Sequence, residues 1–224
     1  MSSLTGAKYV EARLGARAHV PRSGEVASGT RALGEATVHV PAEYARARPA
    51  GLLVMLHGAG GSPAQALAHV KVLAEVENVV VIAPKSKAAS WDVIHDELGP
   101  DVARIDRALA AVFAAYAIEP SRIAIGGFSD GASYALTLGL ANGALFRAIL
   151  AFSPGFEVAP AREGTPHIFI SHGTRDDVLP IDRTSRRLVP KLARGGYQVE
   201  YVEFDGGHAV PLAIAASAFA WFRA

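Results

Sequence analysis

The chain has 224 residues, 50% of them hydrophobic and 19% charged, which suits one globular domain with a large core. Lys+Arg at 22 and Asp+Glu at 21 nearly cancel, so there is no electrostatic case for nucleic acid or an anionic membrane as a partner. With no cysteine, disulfides, a thiolate nucleophile and a Cys-ligated metal are excluded, and no apolar run has signal-peptide or membrane-spanning length, so the expectation is a cytoplasmic protein without membrane insertion.

Residues 9–18 and 36–40 read as strands flanking a Gly/Ser-rich turn at 22–29. The second alternates and suits an antiparallel strand near a sheet edge. From Leu52 to Leu56 the pattern becomes continuously apolar, as for a strand covered on both faces. It ends in His57-Gly58-Ala59-Gly60-Gly61. Ser62, Pro63 and Gln65 then form a helix start, with N-cap, first-turn proline and reciprocal capping residue, and the helix is expected to reach about residue 75. Residues 79–83 are a second apolar strand. A loop carrying Trp91 and Asp92 follows, then apolar residues at helical spacing from Val102 to Tyr116, a helix expected to end at Pro120. Strands at 122–127, 148–152, 167–171 and 198–204 alternate with helices running from Ser129 through 138, over 181–193 and over 211–222. Apolar strands alternating with amphipathic helices imply an α/β domain spanning residues 1–224, with a mostly parallel sheet and helices on both faces.

The chemistry gathers at the carboxyl ends of those strands, where such sheets bind ligands. Gly127-Phe128-Ser129-Asp130-Gly131 matches G-x-S-x-G, a strand-to-helix elbow that holds its serine in a strained conformation above the sheet. Later loops carry Asp176 and Asp177, and then Gly206-Gly207-His208. A serine hydroxyl needs an adjacent base, which His208 can supply, and an acid must fix the imidazole tautomer, with both aspartates available. An oxyanion needs preorganised donors. The amides of Asp130 and Ala59 are placed for that, with Gly60 an alternative to Ala59.

The motifs Leu56-His-Gly-Ala-Gly60, Gly127-Phe-Ser-Asp-Gly131, His172-Gly-Thr-Arg-Asp176 with Val178 and Pro180, and Gly207-His208 run in one order from about residue 52 to the end. In this the chain resembles the α/β-hydrolase superfamily and, within it, the small carboxylesterase/phospholipase-type serine hydrolases. The resemblance implies the α/β-hydrolase fold without a cap domain, and a carboxylesterase with the triad Ser129, His208 and Asp176. The acid four residues after the loop histidine is Asp176, not Asp177. Asp130 departs from the Gln common at its position, which leaves the amide's role intact and sets a carboxylate beside the nucleophile. Trp91, where this subfamily often has a Trp-Asp pair, is read either as a substrate-binding residue or as a core cap. Lysophospholipase or acyl-protein thioesterase activity is the runner-up, and a non-catalytic binding homologue the third reading.

His57 and His172 are expected to brace their turns. The remaining histidines show no ligand spacing, and no metal or cofactor is called for. Arg183, Arg186 and Arg187 read as a solvated helix face. Phe219, Trp221 and Phe222 read as core or as a homodimer contact. The short connection at 153–166 predicts an open site suited to short acyl chains or to esters presented on a larger molecule.

Overall fold

The structure, a computed structural model, describes residues 12–21, 27–95, 98–159 and 161–223. Eight strands form one sheet: β1 (Gly29–Leu33), β2 (Ala36–Val40), β3 (Ala50–Leu56), β4 (Val79–Pro84), β5 (Ile118–Phe128), β6 (Ala148–Phe152), β7 (His167–Gly173) and β8 (Val199–Phe204). Their spatial order is β1-β2-β4-β3-β5-β6-β7-β8. β1 and β2 form an antiparallel hairpin, β2 pairs antiparallel with β4, and every later neighbour is parallel. The helices are α1 (Pro63–Ala68), α2 (Lys71–Val76), α3 (Pro100–Ala115), α4 (Asp130–Ala141), α5 (Ser185–Arg194) and α6 (Leu212–Arg223).

The burial pattern explains the strand order. All residues of β3, β4 and β6 are buried, while β1 alternates between half-buried and exposed positions as an edge strand must. Residues of α3, α4 and α5 close one face of the sheet, and residues of α1, α2 and α6 close the other. Truncating a central residue such as Ile125 to alanine removes contacts worth about 2–5 kcal/mol. Phe219 is buried on the second face, and Trp221 and Phe222 pack partly buried against it.

Several expectations are corrected. The described part of the 9–18 segment forms no strand, and residues 9–11 lie outside the described residues. Its in–out alternation is real from residue 12, since Ala12 and Leu14 are buried and Arg13 and Gly15 exposed. The backbone, however, is satisfied by side chains: Leu14 N–H donates to Asn142 Oδ1 at 2.9 Å, and the Gly15 and Ala16 amides to Asp106 Oδ1 at 2.8 Å. Most of the expected turn at 22–29 also lies outside the described residues. β1, absent from the sequence reading, follows it, and Gly34 at φ 59° turns β1 into β2.

The helix after Ser62 starts as expected, with Gln65 N–H donating to Ser62 Oγ at 3.3 Å, but it breaks at His69-Val70 into α1 and α2. Pro120 does not end α3. The helix stops at Ala115, and Pro120 lies in β5 where the pairing with β3 slips from Ala50↔Ile118 to Leu52↔Ile123. A proline fits there because an irregularity needs no ladder N–H. The helix expected over 181–193 is a 3₁₀ turn (Ile181–Arg183) followed by α5. On it, Arg186 pairs with Glu203 and Asp182.

The connection between β6 and β7 builds no cap. It lies back along α4 through Gly155 N–H to Ser133 Oγ (2.9 Å), Val158 N–H to Thr137 Oγ1 (3.2 Å) and Glu163 N–H to the Leu140 carbonyl (2.8 Å).

Candidate active site

β5 ends at Phe128, and α4 begins at Asp130. Ser129 between them has φ 58° and ψ −122°. A non-glycine residue there stores of order 1–3 kcal/mol, held by its surroundings. Those surroundings are tight: Ser129 N–H donates to the Phe152 carbonyl at 2.9 Å, and the Ser129 carbonyl accepts from Ala132 N–H at 2.9 Å and Ser133 N–H at 3.1 Å. A Cβ on Gly127 would lie 2.3 Å from the Gly131 carbonyl, and one on Gly131 2.4 Å from that of Leu56. Both elbow glycines are therefore steric requirements.

At the end of β7, Asp176 is buried with both oxygens occupied. Oδ1 accepts from the amides of Val178 (3.0 Å) and Leu179 (2.8 Å). Oδ2 accepts from His208 Nδ1 at 2.6 Å and lies 3.2 Å from His172 Nε2. Burial alone would raise its pKa, but the Leu179 amide and the two imidazoles outweigh that and hold the carboxyl below its ordinary range. His172 is itself fixed, with Nε2–H donating to the Leu179 carbonyl at 2.8 Å and Nδ1 2.7 Å from Ser185 Oγ; burial lowers its pKa and keeps the ring neutral.

With Nδ1–H committed to Asp176, Nε2 of His208 keeps a free lone pair. Its ring lies against Phe128, the residue before the serine, at a centroid distance of 4.6 Å. His208 thus stands beside the elbow, and among the described residues no hydrogen bond joins it to the Ser129 hydroxyl. Asp177 and Asp205 are not brought to the imidazole: Asp177 is exposed, and Asp205 pairs with Arg175 at the surface.

The 57–61 turn runs against the elbow, since a Cβ on Gly58 would lie 3.3 Å from Ser129 Cβ. Neither the Ala59 nor the Asp130 amide has a partner among the described residues. The Gly60 amide donates to the Ala89 carbonyl at 2.6 Å, so it is spent on holding the loop and is corrected as an oxyanion donor. His57 supports the same turn. Ser86 N–H donates to Nε2 at 3.2 Å, so the proton sits on Nδ1, which donates to the Gly58 carbonyl at 2.7 Å. Burial lowers its pKa in keeping with that neutral tautomer.

Trp91 is corrected as a substrate contact. It is 0% exposed, its ring stacks on Tyr134 at 5.3 Å, and its Nε1–H donates to the His57 carbonyl at 2.8 Å. Sequence reading also missed Ser90, whose hydroxyl donates to the Asp130 carboxylate at 2.6 Å, and the buried Asp101, and it named Asp92 only as the neighbour of Trp91. The only available signal was acidic residues flanking a Gly-Pro helix start.

A cavity of about 340 Å³ opens beside this assembly, lined among others by Gly58, Ala59, Gln65, His69 and Phe128. A larger one, of about 560 Å³, lies at the opposite end of the strands against Pro49, Ile118 and Pro120, far from the elbow.

The phospholipase/carboxylesterase family profile matches residues 102–212, a span holding the elbow, the acid loop and His208. The fold matches that of esterase PE8 (TM-score 0.68, 23% identity, 83% of this chain and 96% of that one). It is also similar to a phospholipase/carboxylesterase from Dyadobacter fermentans (TM-score 0.62, 23% identity, 83% and 96%) and to an S-formylglutathione hydrolase from Staphylococcus aureus (TM-score 0.67, 16% identity, 92% and 100%). The chain has the α/β-hydrolase fold. No curated protein matches it in sequence. The fold is the expected one, and carboxylic-ester hydrolase, the class read from the motifs, is the one named by the matching profile and by the two esterase neighbours. Among the described residues no helix is long and apolar enough to cross a membrane.

Proposed function

We propose that this hydrolase is a serine carboxylesterase that cleaves short-to-medium acyl esters through an acyl-enzyme, with Ser129 as nucleophile, His208 as base and Asp176 as orienting acid. The observation that carries the reading is the 2.6 Å contact from His208 Nδ1 to a fully satisfied, buried Asp176, on an imidazole lying against the elbow. It commits the ring to the one tautomer that can take a proton through Nε2. The serine–histidine bond forms as substrate arrives, as catalytic hydrogen bonds commonly tighten only in the complex. Nε2 removes the Ser129 proton while Oγ attacks the carbonyl carbon. The amides of Ala59 and Asp130 receive the oxyanion, worth about 3–4 kcal/mol per donor. The imidazolium then protonates the leaving alcohol, and water repeats the sequence on the acyl-serine.

A second reading, an amphiphilic ester such as a lysophospholipid, has its own support. Val178, on the loop after the acid, and Leu212, the first residue of α6 after the His208 loop, are 61% and 62% exposed. Chromogenic esters of graded length separate the two, and esters against thioesters of equal acyl length test acyl-protein thioesterase activity. The expected profile peaks at short chains, whereas a steep rise with acyl length and a jump at a lipid interface selects the second. Ser129→Ala tests both: it should fold normally and lose turnover by about 10⁶. Retained turnover removes Ser129 from the mechanism.

A further inference from the structure

The donor attributed to Ala59 belongs to the peptide group whose other end is the Gly58 carbonyl. A trans peptide holds C=O and N–H antiparallel, so whatever fixes that carbonyl aims that amide. Gly58 C=O accepts from Gly61 N–H at 3.0 Å and from His57 Nδ1 at 2.7 Å. His57 must therefore be held in turn. Among the described residues, the hydrogen bonds that hold it from outside its own turn come from the loop after β4. Ser86 N–H fixes the ring through Nε2, the Trp91 ring lies over it at 4.8 Å, and Trp91 Nε1–H holds the His57 carbonyl at 2.8 Å. That carbonyl is wedged against the nucleophile's helix, where a Cβ on Gly131 would meet it at 2.5 Å.

The loop is stapled at its base. Asp101 accepts from the amides of Lys87 (2.7 Å) and Asp92 (2.9 Å), while Asp92 Oδ2 accepts from the amides of Gly99 (3.0 Å) and Asp101 (2.9 Å). A buried indole with its only donor spent on one carbonyl, stacked on the Tyr134 ring and in contact with the tilted His57 ring, has little freedom.

We propose that Trp91 is a positioning residue for the oxyanion hole: by holding the His57 carbonyl it keeps the His57 ring on Gly58 and the Ala59 amide aimed at the site. This rests on the esterase reading above. Remove the indole N–H and a buried carbonyl beside the elbow loses its donor, which the turn can relieve only by tilting toward water.

The experiment is Trp91→Phe, which keeps an aromatic ring and deletes the donor. An oxyanion donor is worth about 10²–10³ in kcat, so misplacing one should lower kcat by about 10–100-fold. KM, and ester binding measured in the Ser129→Ala background, should stay within about twofold, because the contact matters only once the oxyanion forms. Affinity for a trifluoromethyl ketone, which forms a tetrahedral adduct, should fall in step with kcat. If Trp91→Phe fails to fold, 3-benzothienylalanine at position 91 replaces it, having the indole's shape with sulfur for N–H. Unchanged kcat in a folded variant, or kcat and ground-state binding falling together, overturns the proposal. Failure of the parent reading looks different: fluorophosphonate would then not label Ser129 in the unmodified enzyme.

Discussion

The two loops that serve the elbow are held in opposite ways. The acid's carboxylate is held mostly from nearby: apart from His208, its hydrogen-bond donors are the Val178 and Leu179 amides, with His172 Nε2 3.2 Å away. The loop backbone also leans on the end of β8 and just beyond it, through Thr174 N–H to the Phe204 carbonyl and Arg175 N–H to that of Gly206. The 57–61 turn borrows its order. Its restraints include Ser86, Ala89 and Trp91, together with Lys85 Nζ on the Gly61 carbonyl at 2.8 Å. Disturbance of the acid should therefore stay confined to the proton relay, whereas the oxyanion donor is exposed to changes made some thirty residues along the chain. On the proposed mechanism, the second arrangement gives distant residues a hold on the oxyanion donor.

The largest effect that tests this contrast is at the acid. Asp176→Asn should lower kcat by about 10⁴, the size known for such a change in a serine protease triad, because the amide favours the wrong imidazole tautomer. Asp177→Asn should leave kcat within about twofold, since that side chain is exposed and away from His208. Steady-state kinetics on the two variants decides the matter, and a loss in Asp177→Asn as large as that in Asp176→Asn would mean that the relay depends on Asp177 as well.

A smaller effect is expected at His172. His172→Gln removes the imidazole that lies 3.2 Å from Asp176 Oδ2 while the Val178 and Leu179 amides remain. A drop of about tenfold in kcat or less is expected, of the order of one hydrogen bond to a charged group. A loss as large as that of Asp176→Asn would show that the two amides hold the carboxylate less than its bonds imply.

The smallest effect concerns pH. Burial lowers the pKa of His57, His69 and His172 below 6.5. Below pH 6.5 the unfolded chain takes up protons that these folded rings refuse, so stability should fall as pH drops from there toward the folded values. Asp176, with its lowered pKa, adds a further loss at still lower pH, through its folded value; Asp101, raised by burial, opposes it in the carboxylate range. Melting temperatures from pH 8 to 5 should be flat and then decline, less steeply in His69→Gln. A melting temperature that climbs on acidification would contradict the neutral, buried assignments.

The same contrast governs how much the sequence discloses. Ser129, Asp176 and His208, the proposed triad, stand out in the sequence because each sits in a short motif whose glycines and neighbouring amides fix its local geometry. The role of Trp91 does not, because its burial depends on Tyr134 and His57, contributed by other elements. Gly60 misleads for the same reason, its amide being claimed by Ala89. In the fold, the buried strands announce themselves by continuous apolar runs. The segment at 12–18 has the right alternation and no strand beside it, while β1, Gly-Thr-Arg-Ala-Leu, lacks the β-branched pattern that marks an isolated strand.

One measurement bears most directly on the central claim. The native enzyme is treated with a fluorophosphonate, digested, and the modified residue mapped by mass spectrometry, with Asp176→Asn and Ser129→Ala in parallel. The account predicts a single adduct on Ser129, formed much more slowly in Asp176→Asn and absent in Ser129→Ala. An adduct on another residue, or an unreactive Ser129 in folded native enzyme, would contradict it.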